Sequence, residues 1–193
     1  MKEENLNWLI GLIEGEGTFF INITIRTGGF GVTPIFKLTL AERDRDVIFS
    51  IRDMIGFGRV QFKSNKTWKK QGMKNVQNQY IYIVSNIEDA QKLTEILDEE
   101  LFRTSKKNDY LLWKEAVDIV KSYRHLTYEG FIRICEIRDK MNLEVKRKNY
   151  RSKEYFLKLL KEKPEFFSQK NIQKRRKTSA SIRRLNRFVH SIE

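Results

Sequence analysis

Leu9-Ile10-Gly11-Leu12-Ile13-Glu14-Gly15-Glu16-Gly17, followed at once by Thr18-Phe19-Phe20-Ile21-Asn22-Ile23-Thr24-Ile25-Arg26, decides the fold, because its two halves follow different periods. Leu6, Leu9, Ile10 and Ile13 fall on one face of a helix that Asn5 is placed to cap. Gly15 and Gly17 are expected to end that helix. From Thr18 onward apolar and polar residues alternate, as in a strand with one buried face. Gly11 and Gly15 share a helix face, at a cost of about 2 kcal/mol in helix propensity relative to alanine. They leave room for a second backbone to approach closely. Glu14 and Glu16 stand at the helix C-terminus, where the dipole disfavours anions by about 0.3–1 kcal/mol each. Local costs of this kind in a regular helix point to a functional site, and a carboxylate there suits a hard cation such as Mg²⁺. A C-capping glycine pair with incidental glutamates is the other reading of the same residues.

Beyond this stretch, Gly28, Gly29 and Gly31 mark a turn, and Ile35 to Leu40 alternates again, which predicts a hairpin. Residues 43–55 read as an amphipathic helix closed by Gly56-Phe57-Gly58. Strands are expected at about 59–63 and 79–84, joined by a polar loop. Helices follow at about 87–97, 106–123 and 127–141. This order predicts an α+β fold of four antiparallel strands with all helices on one face. A further helix is expected over about 152–161, stopped by Pro164, and a basic one over 168–190.

The chain has 193 residues, with 38 Lys and Arg against 25 Asp and Glu, a net charge of +13. Residues 142–193 hold 16 of those cations and 5 of the acids, so +11 of the charge lies there. The expected division is a near-neutral core, 1–142, and a basic C-terminal extension, 143–193. Blocks such as Lys146-Arg147-Lys148 and Lys174-Arg175-Arg176-Lys177 repel one another unless a polyanion is near, and nucleic acid is favoured over anionic lipid. A solvated tail that aids solubility is the alternative. With 40% hydrophobic residues the chain can bury a real core, and one cysteine excludes an intrachain disulfide framework or a Cys-based zinc finger. No long uncharged apolar run predicts a membrane span, and the start, MKEENLNW, lacks an apolar signal region. A reduced, intracellular, globular protein is expected.

Strand parity sorts the sheet into two faces. Phe19, Ile21, Ile23, Ile25, Phe36, Leu38, Val60 and Phe62 are assigned to the core. Asn22, Thr24, Arg26, Thr33, Lys37, Thr39, Arg59, Gln61, Lys63, Gln77 and Gln79 are assigned to the other face. Arg pairs with guanine, Asn and Gln pair with adenine, and a curved strand ribbon can enter the major groove. An ordinary solvated face would also be polar, but carboxylates are nearly absent from this one.

Leu9 to Gly17 resembles the signature nonapeptide of the LAGLIDADG homing endonucleases, in Gly11-Leu12-Ile13, the acid–small–acid–Gly ending and the strand that follows. The resemblance extends through Ala41–Val60, Thr104-Ser105-Lys106-Lys107-Asn108-Asp109-Tyr110 with Trp113, His125-Leu126-Thr127-Tyr128-Glu129-Gly130 and Met141-Asn142. It covers about residues 5–142 and implies an αββαββα fold whose saddle-shaped antiparallel sheet lies in the DNA major groove, here followed by C-terminal helices and a basic tail. No second Gly-x-x-acid-small-acid-Gly occurs, so the resemblance implies the single-motif, homodimeric type. Its interface would comprise Leu9, Gly11, Leu12, Glu14 and Gly15, and its DNA target would be long and pseudo-palindromic.

By the same resemblance Glu16 coordinates the catalytic metal, Mg²⁺ with Mn²⁺ as a substitute, for hydrolysis of phosphodiester bonds into double-strand breaks. Glu14 is the more structural acid. Both positions are more often Asp in the family. Lys106, with Lys107 next, is expected to stabilise phosphate charge near the cleavage centre. Thr39-Leu40-Ala41-Glu42 carries no Gln where family members often position water, so that role is unassigned. His125 is expected to orient a turn between helices, Cys135 to be a buried thiol, and His190 has no assigned partner. The extension is expected either to contact flanking phosphates or to brace the dimer. The rival function is an intron RNA maturase, or a DNA-binding regulator, on the same scaffold without cleavage. Host intron RNA is thus a further candidate partner and a membrane is not. An organelle, or a bacterial or archaeal cytoplasm, is the expected compartment.

Overall fold

A computed structural model describes residues 2–66, 76–141 and 150–178. Helix α1 (Glu3–Glu16) leads into strands β1 (Gly17–Arg26) and β2 (Gly29–Ala41), then helix α2 (Arg45–Ile55) and strands β3 (Arg59–Lys63) and β4 (Gln79–Val84). Helices α3 (Ile87–Ile96), α4 (Lys106–Lys121), α5 (Tyr128–Lys140) and α6 (Lys153–Glu162) follow. Residues 169–178 form a further helix, α7. The strands make one antiparallel sheet in the order β1-β2-β4-β3. This is the α+β architecture that the periodicity implies. Lys146-Arg147-Lys148, Asn142, residues 179–190 of the expected basic helix, and His190 lie outside the described residues.

Three expected element boundaries need correction. Helix α1 begins at Glu3, two residues before Asn5, with Glu3 and Glu4 in its first turn, where the helix dipole favours anions. Gly15 does not end it: α1 runs through to Glu16, and Gly17 turns directly into strand geometry at φ −78°, ψ 151°. Gly17 is required there by crowding, since a Cβ would stand 2.6 Å from the Ile13 carbonyl oxygen. Strand β2 starts at Gly29, six residues before the expected alternation. It contains Pro34, which reads as a breaker. Pro34 is tolerated because β4 pairs only from Phe36 onward, so β2 has just one neighbour at that point.

The helices cover one face of the sheet. Two aromatic groups fill the space between, one at each end of the β1–β2 hairpin. Near α1, Phe19 packs against Phe36, Tyr110 and Trp113 with ring centroids 4.9, 5.4 and 5.2 Å apart. Toward the hairpin tip, Phe30 stacks on Phe131 at 4.1 Å and meets Phe156 and Phe166 edge-on at 5.6 and 5.2 Å. The second group draws in the C-terminal segment. Its attachment is reinforced where the Asp139 carboxylate accepts from the Lys153 backbone N–H at 2.9 Å and where Lys153 pairs with Glu136 at 2.7 Å. Ile25 and Phe62, expected in the core, are exposed toward the strand ends.

Truncating Phe30→Ala removes the ring that the second group surrounds. Chemical denaturation is expected to register a loss of about 3–5 kcal/mol.

Candidate functional site

The chemistry-bearing residues gather where α1 meets β1 and α4 begins. Glu14 is half-buried, and its Oε1 accepts hydrogen bonds from the backbone N–H of Arg103, at 2.7 Å, and of Thr104. Burial raises the pKa of this carboxyl, but the Thr104 and Arg103 hydrogen bonds together with the Arg103 charge outweigh it and hold it below the usual range. Glu14 thereby ties the segment before α4 to the end of α1. Lys106, the first residue of α4, then reaches across, and its Nζ donates to the Gly17 carbonyl at 2.7 Å. Lys107 points elsewhere, pairing with Glu100 at 3.3 Å. Glu16 is exposed, and makes no hydrogen bond or ion pair with any described residue. No group of three or more His, Cys, Asp or Glu is assembled as a metal cage among the described residues.

The exposed side of α1 is the second element. Trp8, Gly11, Leu12 and Gly15 recur at i, i+3, i+4 and i+7, one stripe of the helix. Trp8 is 48% exposed, and a Cβ on either Gly11 or Gly15 would meet nothing within 4 Å. Leu9 is not part of this stripe. It is fully buried with Ile10 and Ile13 on the opposite arc, so its assignment to an intersubunit interface is corrected to the protomer core. Glu14 likewise faces its own chain through Arg103 and Thr104.

The third element is the helix-free face of the sheet. Registers place Asn22 beside Thr33, Lys37 beside Thr18 and Ile83, and Thr39 beside Ile81, with Arg59 and Gln61 on the far side of β4. Lys63 pairs with Gln79 at the end of that ladder. Thr24 and Arg26 complete the face near the hairpin tip, crossing Gly31. A Cβ on Gly31 would lie 2.6 Å from the Thr24 Oγ1 and 2.7 Å from the Arg26 Nε. Gln77 is exposed but precedes β4, so it flanks the sheet rather than belonging to it. No position on this face is Asp or Glu, while Arg26, Lys37, Arg59 and Lys63 are cationic.

Sequence reasoning missed the apolar strip on the same face: Phe20, Ile35, Ile81 and Ile83. Residues 80–84 (YIYIV) are apolar at both parities, which was the available signal. The Lys37 ammonium lies 5.2 Å from the Phe20 ring, so charge and apolar surface are interleaved. Outside these elements His125 is buried in the short turn between α4 and α5. Cys135 is buried in α5, and burial pushes its thiol up to about 12, which makes it unreactive.

The model of the LAGLIDADG endonuclease family matches residues 9–117, from the exposed-glycine helix through most of α4. The chain belongs to the LAGLIDADG endonuclease family. Among curated relatives it is 31% identical over 137 residues to a probable intron-encoded endonuclease 3 of Neurospora crassa, covering 69% of this chain and 24% of the relative. A second, an uncharacterized 50.9 kDa protein in ND4 intron 1 of Podospora anserina, is 31% identical over 126 residues, covering 62% and 25%. The chain thus spans about a quarter of these relatives' length. Its fold is that of an archaeal intron-encoded homing endonuclease, I-Vdi141I, solved in complex with DNA (TM-score 0.67, 24% identity, 84% of this chain and 98% of that one). It also matches I-SmaMI bound to an uncleaved DNA target in the presence of calcium ions (TM-score 0.63, 22% identity, 74% and 46%). Among the described residues no helix is long and apolar enough to cross a membrane.

The Glu14 anchor has a pH signature. Its folded pKa is depressed, so the unfolded chain binds the proton more readily, and stability rises with pH across that window. The contribution is complete above the unfolded value of about 4.3 and is lost as pH falls through the folded value. Melting temperatures measured between about pH 3 and pH 6 are expected to show a shallower slope for Glu14→Gln than for the parent.

Proposed function

We propose that the chain is one half of a two-fold symmetric homing endonuclease that makes metal-dependent double-strand breaks at a long, pseudo-palindromic DNA site. The observation that carries this reading is the pairing at the α1 terminus. An exposed carboxylate, Glu16, directly precedes the Gly17 carbonyl that anchors the Lys106 ammonium, at the edge of a carboxylate-free sheet face. One carboxylate per chain suits Mg²⁺, which takes one or two carboxylates and completes its shell with phosphate and water. Glu16 would hold it, and a bound divalent cation supplies the Lewis acidity that phosphodiester hydrolysis requires.

The chain's own residues do the rest. Lys106 offers positive charge to the phosphate at the cleaved bond, held in reach by the Gly17 carbonyl. Glu14 fixes that geometry through Arg103 and Thr104. The Arg, Lys, Asn, Gln and Thr side chains of the open face read base edges in the major groove, and the half-buried Phe20 and Ile35 offer contact to thymine methyl groups. β1 is ten residues long, about 30 Å, enough to follow roughly nine base pairs on each side of a two-fold axis. The axis would pass by Gly11 and Gly15, whose missing side chains admit a second copy of α1. The match to nearly all of one DNA-bound structure and to just under half of another supports one unit per chain. The fungal relatives support an intron-encoded origin.

Incubation with Mg²⁺ and a duplex library of intron-insertion sites tests this reading. The parent is expected to cut both strands at one long site, and Glu16→Gln to retain binding while cleavage falls to background. Lys106→Met is expected to slow cleavage by about 10²–10³-fold. Binding without cutting by the parent, in Mg²⁺ and in Mn²⁺, would point instead to a maturase or a regulator on this scaffold. Assembly has its own test. Gly11→Leu with Gly15→Leu is expected to raise the protomer's helix stability by up to about 2 kcal/mol while sedimentation reports loss of the dimer.

A further inference from the structure

We propose that α7 is an arm that grips the DNA backbone beyond the tip of the β1–β2 hairpin, lengthening the contact without reading sequence. The proposal rests on the DNA-binding reading above. α7 carries Lys170, Lys174, Arg175, Arg176 and Lys177 within ten residues and no carboxylate. The fold sorts these cations into two sets.

Arg175 turns inward. Its Nη2 donates to the Phe166 carbonyl at 2.8 Å and lies 3.4 Å from the Leu126 carbonyl, and its guanidinium sits 5.3 Å from the Phe167 ring. Gly29, at φ +150°, makes room for it, since a Cβ there would stand 2.5 Å from the Arg175 Nη1. Asn171, one turn earlier, lies against Gly28 and donates to the Glu165 carbonyl at 2.7 Å. The helix is therefore fastened to the hairpin tip by its inner side. The Arg175 Nε and Nη1 are buried with no hydrogen-bond partner among the described residues. A buried cation with no carboxylate is unfavourable on its own. A polyanion along the outer side offsets that cost.

Lys170, Lys174 and Lys177 face solvent at i, i+4 and i+7, with exposed Arg176 beside them. The stripe therefore adjoins the far end of a strand that begins next to Glu16. Ten residues of β1 put it about 30 Å from the cleavage centre, or about nine base pairs along B-DNA. A duplex reaching that far presents phosphates to the stripe. Lys and Arg contacts to phosphate carry no base information, so the arm adds affinity equally on all flanking sequences.

The test uses the full chain and two duplexes sharing one cleavable core, one of about 18 base pairs and one of about 40. The variant Lys170→Gln/Lys174→Gln/Arg176→Gln removes three outward charges and touches no part of the cleavage site. On the long duplex the slope of log Kd against log salt is expected to fall by about two to three, and phosphate ethylation interference is lost about nine or more base pairs from the centre. On the short duplex the variant is expected to match the parent, and the cleavage position stays fixed on both. Arg175→Met, which releases the arm, is expected to lose the same outer interference. An unchanged salt slope on the long duplex would overturn the proposal, as would an equal loss on the short one or a loss confined to structured RNA. A parent that binds no duplex at all sinks the DNA-binding reading and the arm with it. A parent that binds and cuts while the variants match it sinks the arm alone.

Discussion

The end of one helix is tied to the start of another by the Lys106 ammonium on the Gly17 carbonyl and by Glu14 on the Arg103 and Thr104 N–H groups, and the candidate site depends on these bonds. Each helix alone looks badly made. α1 ends in two acids, where its dipole favours cations, and α4 begins with two lysines, where its dipole favours anions. Brought together, the misplaced charges serve each other. Lys106 covers the carbonyl end of α1, and Glu14 accepts the backbone N–H groups that lead into α4. Glu16 is the one acid left facing solvent. The arrangement anchors an ammonium on the carbonyl next to an exposed carboxylate without spending the two on an ion pair.

That junction is one end of a beam. The β1–β2 hairpin is held near α1 by Phe19 packed among Phe36, Tyr110 and Trp113, and near its tip by Phe30 among Phe131, Phe156 and Phe166. Aromatic pairs of this kind contribute about 0.5–1.5 kcal/mol beyond their buried area. Fastening both ends matters because the hairpin tip has β1 and β2 alone, with no third strand to stiffen it. The C-terminal segment supplies the missing support from the helix side through Phe156 and Phe166.

Much of this was legible in the chain, for reasons that particular residues make clear. Parity along Thr18–Arg26 assigns Asn22, Thr24 and Arg26 to one face because a strand has a strict period of two. Gly11 and Gly15 mark one helix face because they stand four residues apart, and a Cβ on either would meet nothing within 4 Å. Leu9 misled because hydrophobic residues at the core and at an interface look alike from sequence, and only the arc shared with Ile10 and Ile13 separates them. The partners of Glu14 lie 89 and 90 residues away, beyond any local pattern. The apolar strip of Phe20, Ile35, Ile81 and Ile83 was hidden because an apolar residue on a strand is first read as core. Pro34 and the early start of β2 were missed because a strand's neighbours, which decide whether proline is tolerated, are not written in its own residues.

The two halves of the open hairpin face differ in how freely they can change. Asn22 and Thr33 stand opposite each other, away from the glycine crossing, and neither contributes to the core. Substituting either alters what the surface presents while leaving the scaffold as it was. Thr24 and Arg26 cross over Gly31, whose hydrogen alone leaves space for both, so any side chain added at position 31 displaces them. On the proposed reading of this face, a lineage adapting to new DNA sequences would drift freely in the middle of the hairpin, while toward its tip position 31 stays glycine as long as Thr24 and Arg26 are kept. Adaptability here is graded along a single strand by one missing methyl group.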